Sequence, residues 1–389
     1  MRAYDVAIIG GGIVGLSTGK AISERFPASR VLVLEKEHRW ADHQTGNNSG
    51  VIHSGIYYKP GSLKAALCRE GNRSMVEFCT KHRIRHEVCG KVIVAKESAE
   101  VPLLKNLYQR GLTNGLEVKE ISQDELREIE PHVRGRAALR VPSTGIVNYR
   151  EVAEAFARLL HERGGDLRLN SKVERIIEHG SDTVLETTAG AFHAKFVVNC
   201  AGLHSDRVAQ LAGHSRLGMR IVPFRGEYFE LRPEKRYLVN HLVYPVPNPN
   251  FPFLGVHFTR MVDGAIHAGP NAVLSLKREG YRKTDINFRD SWDVLSYPAF
   301  WKLAYRNMGE GAKELVRSLS KAAFVRSLQG LVPEIQAEDI VPSRAGVRAQ
   351  ALMNDGKLAD DFVVLQGRQS LHVCNAPSPA ATASIEIGK

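Results

Sequence analysis

The 389-residue sequence contains no apolar run near the ~18 to 20 residues needed to span a bilayer, which excludes a membrane-crossing helix. Cysteine is scarce. Cys68, Cys79, Cys89, Cys200 and Cys374 are odd in number and contain no Cys-x-x-Cys, which argues against a disulfide framework and a zinc site; buried or idle thiols and no metal are expected. Internal repeats and low-complexity tracts are absent. The basic residues, although in excess, form no dense tract and no nucleic-acid motif, so no nucleic acid is expected as partner. The chain enters a strand at once through Tyr4-Asp5-Val6, leaving no room for a secretory leader. The expectation is a cytoplasmic protein; contact with the inner membrane stays open, although no hydrophobic amphipathic tail stands out to anchor it.

What remains is an ordinary globular composition, 43% hydrophobic and 24% charged. A chain of this length exceeds what one core supports, so two domains are expected. Lys plus Arg outnumber Asp plus Glu by 53 to 42, a formal charge of +11. That excess concentrates anionic partners: an acidic membrane surface or, better, an anionic metabolite.

The informative segment is Gly10-Gly11-Gly12-Ile13-Val14-Gly15, after the apolar run Val6-Ala7-Ile8-Ile9 and 20 residues before Glu35. Read as Gly10-x-Gly12-x-x-Gly15, it predicts a strand, a tight turn and a helix start that hold a pyrophosphate. Gly10 permits the turn, Gly12 lets backbone approach phosphate, and Gly15 lets helix and strand pack closely. Glu35 ends a second apolar run, Val31 to Leu34, where a carboxylate accepts from a ribose 2′-hydroxyl and disfavours a 2′-phosphate.

Periodicity predicts a helix over 13–25, a strand over 31–35, and a helix over 62–81 with Leu63, Ala66, Leu67, Met75, Phe78 and Cys79 on its inner side. A polar, glycine-rich stretch, His43 to Gly50, reads as a loop against a ligand. Lys91 to Ala95 reads as a strand, 101–111 as a helix, and Ser122-Gln123-Asp124-Glu125 as a capping box. The βαβ style returns over 149–169 and in the buried strand Phe196 to Asn199, which ends in Cys200-Ala201-Gly202. Short alternating strands over 221–270, broken by Pro245, Pro247, Pro249 and Pro252, read as antiparallel sheet. A helical region follows over 291–331, with Trp301, Leu303 and Ala304 expected in its core. The predicted fold is α/β: a discontinuous Rossmann-like domain (1–82, 141–220 and 343–389) interleaved with a mainly antiparallel β substrate domain (83–140 and 221–342).

One glycine fingerprint suits FAD and NAD alike. Here the polar loop, the Asn199-to-Gly202 strand end and the Asn375-to-Thr382 turn return to one large ligand from distant parts of the chain, which favours FAD. Further along, His43 to Tyr58, Pro223-Phe224-Arg225-Gly226-Glu227-Tyr228, Phe251 to His257, Gly269-Pro270-Asn271-Ala272, Ala345 to Gln350 and Asn375 to Thr382 resemble the L-2-hydroxyglutarate dehydrogenase/oxidase family, FAD enzymes of the D-amino-acid oxidase type. The resemblance runs from Tyr4 almost to the end. This chain has Asn47 where members commonly have His, and members continue into a further helix past the position of Lys389, so a trimmed or short end is expected.

The resemblance implies oxidation of L-2-hydroxyglutarate to 2-oxoglutarate by hydride transfer to flavin N5, with electrons leaving to a quinone-linked acceptor or oxygen. Related FAD enzymes acting on glycerol 3-phosphate or an N-methyl amino acid, or a non-catalytic flavin-binding protein, are the alternatives. Cofactor contacts are expected at Gly10, Gly12, Gly15, Glu35, Lys36, Thr45, Asn48, Ser49, Gly50, Val173, Ala201, Gly202, Asn375, Ala376, Pro377 and Ser378. For the base, His53 is preferred, though equally readable as an imidazole packed beneath the flavin, and His257, on a predicted substrate-domain strand that could face the ring, is its rival. Arg348, in an Ala-Gly-Val-Arg segment like the carboxylate-binding element of related amine oxidases, is the candidate substrate clamp; those relatives have Pro where Ala349 stands. Arg225, Tyr244, Arg260 and Lys64 are candidates for the second carboxylate.

Overall fold

The computed structural model describes residues 3–249 and 254–389. Asn250, Phe251, Pro252 and Phe253, three of which belong to one of the resemblance segments, lie outside the described residues. The first sheet is built around Tyr4–Ile9, whose parallel neighbours are Gly190–Asn199 on one side and Val31–Leu34 on the other, with Asp166–Arg168 beyond the latter. Parallel strands demand crossover connections. Helix Ile13–Arg25 supplies one of them, and helix Tyr149–Glu162 packs beside it on the sheet through Phe156, Leu160 and Leu16. Ser370–Asn375 returns from the far end of the chain to pair in parallel with the C-terminal part of Gly190–Asn199.

A second eight-stranded sheet runs, in order, through Ile340–Pro342, Phe229–Leu231, Ile266–Gly269, His257–Arg260, Leu242–Pro245, Lys91–Ala95, Ala137–Val141 and Lys119–Ile121. Its pairings are antiparallel except one: Leu242–Pro245 lies parallel to Lys91–Ala95. The sheet is mainly antiparallel, as expected, apart from this one joint. The joint falls where two separate chain excursions meet, and no hairpin dictates direction there. The core behind this sheet holds Phe258, Val243 and Ile266 against Phe324 and Leu328 of helix Lys321–Gln329. A three-stranded sheet, Val273–Leu274, Met219–Gly226 and Gly346–Met353, sits apart from both.

Two expectations of burial need correction. In helix Leu63–Lys81, Leu63 and Ala66 are exposed and Leu67 only half-buried; the inner face is Ala65, Cys68, Gly71, Met75, Phe78 and Cys79. The face is set by Gly71, where a Cβ would stand 2.7 Å from Thr382 carbonyl oxygen and Ala383 Cα. Close backbone approach, which apolarity does not report, turns the helix. Trp301 is exposed on helix Pro298–Arg306 while Leu303 and Ala304 are partly covered.

Candidate active site

A cavity of about 1530 Å³ runs between the first sheet and the strands of the other two. It exceeds the ~300 to 1,000 Å³ of an ordinary small-ligand pocket. At one end its wall is backbone. Gly10 has φ +114°, and a Cβ there would lie 2.5 Å from Cys200 carbonyl oxygen. Gly15 is squeezed against the Gly10 carbonyl and faces the packing, not the cavity. Around Gly12, by contrast, a Cβ would meet only Thr45 Oγ1, at 3.4 Å; its open side belongs to the cavity. Helix Ile13–Arg25 starts here with no acidic residue in its first turn, and Thr45 Oγ1 accepts from Ile13 N–H at 3.0 Å. Its positive end therefore faces the cavity, as a pyrophosphate requires. Glu35 accepts from Gly11 N–H (2.7 Å) and Glu37 N–H (2.9 Å), which aims its carboxylate along the same wall. These features fit the adenosine diphosphate half of FAD.

Lys36, Asn48, Ser49, Val173, Ala201, Gly202, Ala376, Pro377 and Ser378 line the same cavity. Lys36 is not free: Glu279 holds its ammonium at 2.6 Å and Glu37 pairs with it as well. Asn48 folds its own loop, donating to Thr45 carbonyl (2.7 Å) and accepting from Gly50 N–H (2.8 Å). Asn47 does the same, donating to the carbonyls of Asp42 and His43, both at 2.8 Å. Gly50 and Asn375 stand behind the wall. Gly50 (φ +65°) takes a turn against Val147, and Asn375 is buried, donating to Asp361 carbonyl (2.9 Å) and accepting from Ala351 N–H (3.3 Å). Their part is to shape the loops.

The other end of the cavity is built from side chains. His53, Lys64, Tyr228, Tyr244, His257 and Arg348 meet there, carried on separate chain segments. His257, the first residue of strand His257–Arg260, has Nδ1 2.8 Å from Gly255 carbonyl oxygen. A carbonyl only accepts, so Nδ1 carries the proton and the Nε2 lone pair is left available. Tyr244 stacks on this ring with centroids 4.0 Å apart. His53 receives a constraint at each end: its N–H donates to Thr382 Oγ1 (3.0 Å) and its Nε2 lies 3.4 Å from Ser378 Oγ. Burial, then neighbouring positive charge, pushes both imidazoles down to about 3, so both are neutral near pH 7.

Arg348 lies on strand Gly346–Met353 opposite Phe224, and its guanidinium donates to Asn271 carbonyl at 3.3 Å. Desolvation lowers its pKa, and the charges of Tyr228 and Glu314 oppose that shift. Two other candidates are not brought to the cavity. Arg225, two residues before Glu227, is held by that carboxylate at 3.0 Å and by Arg282 carbonyl at 3.1 Å; Arg260 pairs with Glu87. Neither belongs to the cavity wall. Lys64 reaches the wall but donates to Asp360 carbonyl at 2.7 Å.

Sequence reasoning passed over Lys91. It opens a strand whose five residues are all buried, and it is itself 1% exposed. Its ammonium lies 4.3 Å from the Tyr57 ring centroid and 5.0 Å from that of Tyr244, the ring stacked on His257. Burial pushes it down to about 7. The signal was present in Lys91-Val92-Ile93-Val94-Ala95, a charge on an otherwise apolar strand. Tyr228 and Thr382 were missed as well: the first lines the cavity with Arg348, and the second links His53 to Tyr149, whose hydroxyl is 2.8 Å away.

Residues 5–389 match the FAD dependent oxidoreductase family, DAO. Among solved structures, the dithionite-reduced L-alpha-glycerophosphate oxidase of Mycoplasma pneumoniae with FAD bound superposes with a TM-score of 0.81 at 22% identity, covering 100% of this chain and 93% of that one. The class is thus an FAD-dependent oxidoreductase. Much nearer in sequence is L-2-hydroxyglutarate dehydrogenase of Indibacter alkaliphilus, 51% identical over 386 residues, 99% of this chain and 97% of that protein. The enzyme of that name from Escherichia coli K12 is 46% identical, covering 99% and 91%, and the mitochondrial one from Homo sapiens 47%, covering 99% and 87%. This chain belongs to the L-2-hydroxyglutarate dehydrogenase family of FAD-dependent oxidoreductases.

Proposed function

We propose that this chain oxidises L-2-hydroxyglutarate to 2-oxoglutarate, with His257 and Arg348 as its principal side chains. The observation that carries the reading is the pairing, at one end of a flavin-sized cavity, of a half-buried guanidinium with a neutral imidazole whose Nε2 lone pair is free to take a proton. Bound FAD would supply the hydride acceptor. Gly10, Gly12, Glu35 and Thr45 would hold its nucleotide half, and the turn from Ala376 to Ser378 with Asn48 and Ser49 would border its ring. Arg348 grips the carboxylate beside the reacting carbon, a bidentate contact that orients the C2–H bond. His257 Nε2 removes the hydroxyl proton as C2 loses hydride; His53 stands as the second imidazole of the wall. Lys91 polarises the Tyr244 and His257 stack and places positive charge on the side where a dianion lodges. The domains proposed are a discontinuous FAD-binding part (1–82, 141–220 and 343–389) and a substrate part (83–140 and 221–342) that supplies Tyr228, Tyr244 and His257 to the cavity wall.

Electrons then pass to a quinone-linked acceptor, with oxygen as the competing outlet, and the protein makes peripheral contact with the inner membrane from the cytoplasm. No helix among the described residues is long and apolar enough to cross a membrane. The substrate assignment is tested by mixing FAD-loaded protein anaerobically with L-2-hydroxyglutarate, its D enantiomer, glycerol 3-phosphate and an N-methyl amino acid. Bleaching of the yellow flavin by the first alone is expected. Bleaching by glycerol 3-phosphate instead would reject it.

A further inference from the structure

Among the described residues seventeen large hydrophobic side chains are exposed, and ten of them fall between Ile286 and Leu319. This segment forms three consecutive helices, Phe288–Leu295, Pro298–Arg306 and Met308–Leu319. The exposed positions follow helical spacing. Phe288, Trp292 and Leu295 fall at i, i+4 and i+7; Trp301 and Tyr305 at i and i+4; Met308, Leu315 and Leu319 at i, i+7 and i+11. Phe288 is 87% exposed and Tyr305 80%, so these stripes are not half-covered core. The core side of the first two helices is a different set, Val294, Tyr297 and Ala299, packed on Val222 and Leu352. Trp301 Nε1 donates to Leu295 carbonyl at 2.9 Å, which joins the first two stripes edge to edge.

Charge on the segment is sorted. Of its acids, Asp290 and Asp293 pair with Arg207 and Glu314 is buried against Arg317, while Glu310 is neutralised by the exposed Lys313. Its exposed charges are basic, among them Arg289, Lys302 and Arg306. We infer that these three helices form a docking face for an anionic lipid surface. Tryptophan and tyrosine beside lysine and arginine is the composition that settles at the boundary of headgroups and acyl chains. A second copy of the chain would bring the same cations against one another, which disfavours self-association through this face. Leu303 and Arg306 of the second helix also line the wall of the cavity, so the face borders the cavity. A lipid-dissolved acceptor would arrive there. The inference rests on the peripheral contact proposed above and names the surface that makes it.

The test uses the FAD-loaded full chain and co-sedimentation with vesicles of phosphatidylcholine alone or mixed with phosphatidylglycerol. The wild-type protein is expected to partition onto the mixed vesicles and to be partly released by salt. Trp292→Ser/Tyr305→Ser/Leu319→Ser should lose about tenfold or more of that partition while keeping its flavin spectrum and its turnover with a soluble dye. Lys302→Glu, which removes no apolar surface, should weaken binding to the mixed vesicles. Wild-type protein that stays in the supernatant, a triple variant that binds as well as wild type, or a wild-type dimer that the triple variant abolishes would each overturn the inference. Vesicle binding without reduction by L-2-hydroxyglutarate would count against the proposed activity and leave the docking face standing.

Discussion

The two ends of the cavity are made differently. At the nucleotide end the wall is glycine and peptide, and its strongest side-chain contribution, Glu35, is fixed by backbone N–H groups. At the substrate end the wall is His53, Tyr244, His257 and Arg348, each from a different strand or loop, with Lys91 behind them. Gly10 and Gly15 tolerate no added atom, whereas side chains can be exchanged with the fold intact. Substitution at the first end should therefore cost cofactor and fold together, and at the second it should cost chemistry alone.

The largest effect belongs to Gly10→Val. The positive φ, and a Cys200 carbonyl oxygen only 2.5 Å from where a Cβ would stand, leave no room, so the purified variant should be colourless or fail to fold; stoichiometric yellow protein would break the contrast. Next comes His257→Asn, expected to bind FAD normally and to lower kcat by about 10²- to 10⁴-fold, the range for losing a general base. His53→Asn should lower it less. If the two effects are reversed in stopped-flow reduction, the base assignment moves to His53.

A smaller effect is expected on stability. Burial pushes both imidazoles down to about 3 in the folded chain, against ~6.5 when unfolded, so below pH 6.5 the unfolded state binds more protons. Stability from these groups is full above that pH and falls as pH drops toward 3. Thermal midpoints measured from pH 7.5 to 4.5 should decline, and the double variant His53→Asn/His257→Asn should decline less steeply. Equal slopes would show that the imidazoles protonate without cost where they stand.

The same contrast explains what the sequence disclosed. Gly10, Gly12, Gly15 and Glu35 act through local geometry, and local spacing announces them. Helix starts were legible for the same reason: Ser122 and Glu125 form the reciprocal cap that their spacing predicts. The substrate end is assembled by long-range pairing, so composition reveals which residues are chemically able but not which ones face inward. Arg225 and Arg348 sit near each other on paired strands, yet Glu227 captures the first and Arg348 keeps its place in the cavity wall. Lys91 was hidden by the strand it opens. In the helical region over 291–331 the sequence places Trp301 in the core, yet its ring faces solvent, because an apolar residue type does not report which side of a helix is covered.

The central claim is that Arg348 presents substrate to the flavin. It is tested most directly by the dependence of anaerobic flavin reduction on L-2-hydroxyglutarate concentration in Arg348→Ala, with Arg225→Ala as control. The account predicts full FAD occupancy in both, an apparent Kd raised about a hundredfold in Arg348→Ala, and a change within about twofold in Arg225→Ala. An unchanged Kd in Arg348→Ala would contradict it.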